Sequence, residues 1–219
     1  MNFLVLDGET CNTPKVNGQL DVKNGQVYDL GGVVIDEYGD EKMRFSVVNK
    51  DVFYGMPAQM NEAFYSDKIP KYIEDINNDK RIVLDTWKIR RLVHDICKIY
   101  NVQAIVAHNA YFDVQTLNAT LRYQTKSFKR YFLPYNIPVI DSLKVARKVY
   151  GKNEDYIHFC QNNNYMTNNK VPRPRLTAEV LWKYISTDNE FIESHTGFED
   201  AEIESKIFVK CLEILRKRT

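Results

Sequence analysis

Three acidic features stand where apolar runs give way to polar chain. The first is Asp7-Gly8-Glu9, directly after the wholly apolar Phe3-Leu-Val-Leu6. In extended chain an Asp-x-Glu pair puts both carboxylates on one face, about 7 Å apart, a spacing suited to gripping one hard cation from adjacent sides. The second is His108-Asn-Ala-Tyr-Phe-Asp113, again after an apolar run, with Asp113 near a helix start where the dipole favours a carboxylate. The third is His195-Thr-Gly-Phe-Glu-Asp200. Thr196 and Glu199 form a capping-box pattern that starts a helix at Gly197, leaving His195 on the loop before it and Asp200 one turn inside. Alone, such a pair is an ordinary solvated turn, as Glu202-Ile-Glu204 on the same helix illustrates. The position of Asp7 and Glu9 is what distinguishes them, because α/β sheets place ligands beyond strand ends.

The elements that must position these groups follow from pattern. Phe3–Leu6 reads as a strand buried on both faces, and Thr10–Gln26 as loop or a ragged hairpin. Strands follow at Val27–Ile35 and Met43–Val48, joined too tightly for a parallel crossover, so the first three strands form an antiparallel meander. Ile89, Leu92, Val93, Ile96, Cys97 and Tyr100 make a helical stripe. Strands are predicted at Gln103–Ala107 and Pro138–Ile140. Helices are predicted at Val114–Tyr123, Leu143–Val149, Asp155–Gln161, Leu176–Tyr184 and Glu199–Leu215. The result is an α/β layered domain with a mixed five-stranded sheet, the meander plus parallel strands, flanked by helices.

Composition excludes several classes. The 219 residues amount to one domain, 1–219. With 30 basic against 29 acidic residues the net charge is +1, far from that of a histone-like coater of nucleic acid. Cys11, Cys97, Cys160 and Cys211 are scattered without a CxxC pair, which argues against a zinc ribbon and for reduced thiols in a core. No run approaches the ~20 apolar residues of a membrane span, and the N-terminus lacks the basic region of a signal peptide. The expectation is a soluble, cytoplasmic protein with no membrane partner.

In order and spacing, Asp7-Gly-Glu9, Asn109-Ala-Tyr-Phe112-Asp113 and His195-Thr-Gly-Phe-Glu-Asp200 resemble the motifs of the DEDDh branch of the DnaQ-like 3′→5′ exonucleases, in the ribonuclease H-like superfamily. Val27–Ile35, Val139–Arg147 and Leu176–Tyr184 resemble the intervening segments, so the resemblance spans nearly the whole chain. The family often has two Thr after the first Glu, where this chain has Thr10 followed by Cys11-Asn12. The stretch 56–85 is longer than a minimal member needs and reads as an insertion shaping access to the site.

The resemblance implies a ribonuclease H-like fold and phosphodiester hydrolysis with two Mg²⁺, for which Mn²⁺ would substitute. It implies Asp7, Glu9, Asp113 and Asp200 as metal ligands, with Asp7 bridging, and His195 as general base. Thr10 and Asn109 are expected contacts to substrate. Asp141 reads as a helix cap. His94 and His158 read as structural or surface residues, His108 as support for the site or as packing, and Phe112 and Phe198 as core. From Val114 to Asn153 one acid stands against eight basic residues, among them Lys126, Lys129 and Arg130, interleaved with Tyr123, Phe128 and Tyr131. That mixture suits single-strand binding. A second acid-free basic stretch holds Lys170, Arg173 and Arg175. The expected activity is stand-alone exonucleolytic cleavage of single-stranded DNA, with RNA trimming or oligoribonucleotide clearance as the alternative and a non-catalytic binding module as the third reading. A proofreading role would run through a polymerase or replication partner.

Overall fold

The computed structural model describes residues 1–12, 15–16, 19–129 and 131–218, so Arg130 lies outside the described residues. Strand β1 (Asn2–Cys11) carries its apolar run straight into the first two acids. Leu4 and Leu6 enter one buried cluster with Ile89, Val93, Leu117 and Leu121, and Phe3 and Val5 enter another with Phe208. Side chains at i and i+2 share a face. Asp7 and Glu9 therefore fall on the Phe208 side of the sheet.

A two-stranded ribbon, β2 (Lys15–Val16) and β3 (Gln19–Leu20), precedes β4 (Gln26–Asp36) and β5 (Glu41–Asn49), which complete the expected antiparallel meander. The 56–85 stretch holds α2 (Pro57–Asn61), reached through α1 (Lys50–Phe53), then a 3₁₀ turn at Ser66–Lys68, α3 (Ile69–Asn77) and β6 (Ile82–Leu84). The second half alternates as read: α4 (Thr86–Ile99), β7 (Val102–Ala107), α5 (Tyr111–Thr125), β8 (Val139–Asp141), α6 (Ser142–Tyr150), α7 (Glu154–Asn162), α8 (Ala178–Ser186) and α9 (Gly197–Arg216). No helix of the described residues is long and apolar enough to cross a membrane. All four cysteines are free and buried.

The main sheet has six strands in the order β6-β5-β4-β1-β7-β8, one more than the five expected. The extra strand, β6, is a three-residue run too short to show a period, and it pairs parallel to β5 at the far edge. Strands β1, β7 and β8 are parallel. Their carboxyl ends open on one edge, which is where Asp7, the His108–Asp113 segment and Asp141 all emerge.

Helix α9 closes this edge by lying directly on the backbone of β1 and β4. Asp7 pairs with Gly31. A Cβ on Gly31 would sit 2.0 Å from the Phe198 amide nitrogen, and one on Gly197 would sit 2.8 Å from the Asp7 carbonyl oxygen. A buried ion cluster pins the same junction. Arg81, just before β6, reaches Asp29 at 3.2 Å, Asp75 at 3.1 Å and Glu199 at 3.0 Å. Asp29 is 0% exposed and also accepts from the Tyr72 hydroxyl at 2.7 Å and the Gly197 N–H at 2.8 Å. The 56–85 stretch is thus bonded to the first turn of α9.

Removing one partner of a buried ion pair strands the other charge. Arg81→Ala is expected to cost about 3–5 kcal/mol, read as a lowered midpoint in urea unfolding. A midpoint within error of the parent chain would mean Asp29 is neutral in the folded protein.

Candidate active site

The fold brings four acids from three distant segments to one place. Asp7 and Glu9 project from β1, Asp113 sits in the first turn of α5, and Asp200 in the first turn of α9. Ligand atoms of Glu9, Asp200 and His195 all lie within 4.8 Å of one another. Two further acids join them. Glu204, one turn beyond Asp200, is buried and accepts the His108 backbone N–H at 3.2 Å, and Glu193 lies two residues before His195.

Crowding and burial raise every member of the cluster. Burial, then the charges of Glu204, Asp113, Glu9 and Asp200, holds Asp7 well above the usual carboxylate range. Glu9 is pushed up to about 8 by burial, Asp200 and Asp29, with Lys68 pulling it down. Burial takes Asp113 to about 7 against a hydrogen bond from the Gly8 N–H. It takes Glu193 to about 7, and Glu204 well above its ordinary value, with Asp113, Glu193 and Asp200 adding to the effect. Asp200 reaches about 6 although Ser194 Oγ and the Thr196 N–H both donate to it at 3.1 Å. Buried oxygen donors that resist ionising in each other's company fit a hard divalent cation.

His195 is backed by an aromatic ring, contrary to the bare polar loop its neighbours suggest. Its backbone is left-handed, with φ +52°, and the imidazole stacks on Tyr65 with centroids 4.4 Å apart and planes 13° from parallel. Nδ1 lies 3.8 Å from Glu193 Oε2. Burial and the nearby Lys68 charge lower its pKa below the usual histidine value. Lys68 donates to the Ser194 carbonyl and sits over the Tyr65 ring, so the 56–85 stretch supports the histidine loop from above.

The capping box is also rearranged. Asp200, not Glu199, takes the Thr196 N–H, while Glu199 accepts the Thr196 hydroxyl at 2.5 Å and two bonds from the buried Arg81 guanidinium. Asp141 caps α6 as expected, accepting from Leu143 N–H at 3.1 Å and also from Asn109 N–H at 3.2 Å. His108 is fully engaged, with Nδ1 3.0 Å from Ser142 Oγ and Nε2 2.7 Å from the Leu176 carbonyl. His94 bonds the Phe132 carbonyl at 2.9 Å, and His158 lies on α7 away from the acids.

A cleft of about 660 Å³ opens over the acids. Thr10, Asn12 and Phe112 line one wall, and Ala63, Phe64 and Tyr65 another. Phe112 is therefore a cleft residue and not the core residue expected, since its place in the first turn of α5 leaves it only partly buried. Phe198 does pack on the core beside Phe208. Asn109, exposed with φ +68°, faces a second groove. Lys126 and Lys129 are exposed beyond α5 and line neither depression. The sequence reading missed Lys68, Tyr65, Glu193 and Glu204. For Glu204 alone a signal existed, the i+4 spacing from Asp200.

No protein-family model and no curated protein matches the chain. Solved structures do. The nuclease domain of 3′hExo, a DEDDh family member bound to rAMP, superposes with a TM-score of 0.58 at 12% identity over 97% of this chain and 92% of that one. A 3′-exonuclease recognising the histone mRNA stem-loop gives 0.58 at 12% identity over 97% of this chain. Exonuclease I from Methylocaldum szegediense gives 0.50 at 13% identity over 100% of this chain. The chain spans 63% and 41% of the last two. At these identities the likeness shows the fold alone, one shared with these three nucleases.

The raised acids carry a pH signature. Between their unfolded values near ~4 and folded values of about 6 to 8, the folded chain holds protons that the unfolded chain has released. Stability therefore falls as pH rises through that window. In chelator, Tm is expected to decline from about pH 5 to pH 8, and Mg²⁺ or Mn²⁺ to reverse the decline. A Tm that climbs across that range in chelator would contradict the crowding.

Proposed function

We propose that this chain is a metal-dependent 3′→5′ exonuclease that releases nucleoside 5′-monophosphates from single-stranded DNA. The observation that carries the reading is the convergence of Asp7, Glu9, Asp200 and His195 in the lining of one cleft, with Asp113 buried close enough behind them for its charge to act on Asp7. Asp7 feels the charges of Glu204, Asp113, Glu9 and Asp200, so it would hold metal together with acids of all three segments. Glu9 and Asp200 would complete the site beside His195, and Asp113 would hold a second ion. Two divalent ions, when bound, supply charge relief on the phosphate and lower the pKa of a nucleophilic water.

The chain's own groups do the rest. His195, kept neutral near pH 7 by burial and Lys68, takes a proton from the attacking water. The stacked Tyr65 fixes its ring plane. Phe64, Phe112 and Tyr65 offer faces for the terminal base, and Thr10 and Asn12 offer polar contacts to its sugar. RNA is the second reading, favoured by the two superpositions at 0.58, onto a 3′-exonuclease recognising the histone mRNA stem-loop and a nuclease domain bound to rAMP, against 0.50 for Exonuclease I.

End-labelled DNA and RNA of one sequence, single- and double-stranded, with and without Mg²⁺, tests the proposal. Shortening from the 3′ end only with Mg²⁺ is expected. Asp7→Asn should abolish it, and His195→Ala should lower kcat by roughly 10²–10⁴-fold. The acid limb of the pH–rate profile should lie below the usual histidine range and vanish in His195→Ala. Retained turnover with an unchanged limb would remove His195 from the chemistry.

A further inference from the structure

Beside the acid cluster, opposite the aromatic cleft, lies a second groove of about 970 Å³. Glu193 lines both depressions, and Glu204 closes the inner end of the second, so the two meet at the acids. Their linings differ in kind. The first presents aromatic rings, acids and neutral polar groups and no Lys or Arg, whereas the lining of the second includes Arg147, Lys152, Arg173 and Arg175 together with Thr167 and Asn169. Among the described residues none of the four cations has an ion-pair partner, and all four are exposed. In a chain of net charge +1, four unpaired cations around one groove are a concentration of positive potential, placed beside the most acidic point of the protein.

The groove is also built. Arg173 and Arg175 sit on a hairpin closed by the Met166–Pro174 bridge. Thr167 N–H donates to the Arg173 carbonyl at 2.8 Å, and Arg175 N–H to the Tyr165 carbonyl at 2.9 Å. The Arg175 carbonyl takes the Tyr156 hydroxyl, and the next carbonyl, of Leu176, takes His108 Nε2. Arg147 stands opposite on α6, whose first residue Ser142 holds the other nitrogen of His108. The two basic walls are therefore tied to each other through one imidazole.

Resting on the exonuclease reading above, we propose that the second groove carries the sugar–phosphate backbone of a single strand on the 5′ side of the scissile bond, its bases turned outward. A 3′-terminal nucleoside in the aromatic cleft would let the chain continue past the acids into this groove, which has phosphate partners and whose one lining aromatic ring, His108, is already engaged by Ser142 and Leu176. Recognition there is sequence-independent and salt-sensitive. It also reassigns backbone binding from the Lys126–Lys129 segment, which lines neither depression.

The test is fluorescence-anisotropy binding of a labelled 12-nucleotide single strand in Ca²⁺, at several salt concentrations. Variants are Arg173→Ala/Arg175→Ala, Arg147→Ala and the surface control Lys98→Ala. Thymidine 5′-monophosphate, which spans only the first cleft, serves as the reference ligand. Expected are a 10-fold or greater loss of 12-mer affinity in the arginine variants and a fall in the log–log salt slope of roughly 0.7 per cation removed. The Lys98 variant should match the parent. Arg173→Lys/Arg175→Lys should recover most of the slope, which a folding defect would not. An unchanged slope, an equal loss for the mononucleotide, or a slope lost in Lys126→Ala/Lys129→Ala instead would overturn the assignment. Because binding is read without turnover, a chain that binds the 12-mer through this groove yet cuts nothing refutes the exonuclease reading and leaves the groove standing.

Discussion

Carboxylates gathered in a low-dielectric cleft repel one another, and the architecture around this site is a set of answers to that force. At 4.8 Å, the widest spacing among the Glu9, Asp200 and His195 ligand atoms, two full negative charges at an effective dielectric near 20 would cost about 3.5 kcal/mol. The acids respond by holding protons. The scaffold responds by tying the segments that carry them to something rigid: Asp113 to the Gly8 amide, Asp200 to Thr196 and Ser194, Glu204 to His108.

The strongest of these ties is remote from the acids. Arg81 neutralises Asp29, which is opposite Glu9 in the sheet and in turn receives the Gly197 amide. One guanidinium thus joins the middle of the sheet to the start of α9, where it shares Glu199 with the Thr196 hydroxyl. Stability and site geometry are the same contacts in this region. The stretch 56–85 contributes Tyr65 and Lys68 over the histidine as well as Arg81 beneath it, so it braces the site from two sides.

What was legible in the sequence was local. Period-2 alternation placed Asp7 and Glu9 on one face, strand-then-helix order placed Asp113, and a Thr-x-x-Glu pattern located the α9 start. The rest depended on contacts between distant segments. Nothing around Lys68 or Tyr65 marks them, because their role arises from where a stretch of short helices folds back. β6 is three residues of ordinary apolar chain until β5 offers it an edge. Glu204 was visible at i+4 from Asp200, yet a solvated helix face shows the same spacing. The basic residues were counted correctly, but which of them line a groove is decided by the hairpin closed at the Met166–Pro174 bridge and not by local charge density.

The two glycines at the α9 junction set the scale of the whole site. Gly31 and Gly197 let helix and sheet touch backbone to backbone, with Asp200 on the helix and His195 on the loop leading into it, while Asp7 and Glu9 ride on the sheet. The gap between these halves is fixed by the width of hydrogen atoms, a tolerance far finer than side-chain rotamers provide. Charged residues in the cleft have near-isosteric stand-ins such as Asn or Gln that leave the frame intact. For these two positions no stand-in exists, since the smallest possible increment, one methyl group, would wedge the helix off the sheet and separate the halves together. The least replaceable residues of the site are thus ones that touch no substrate and carry no charge.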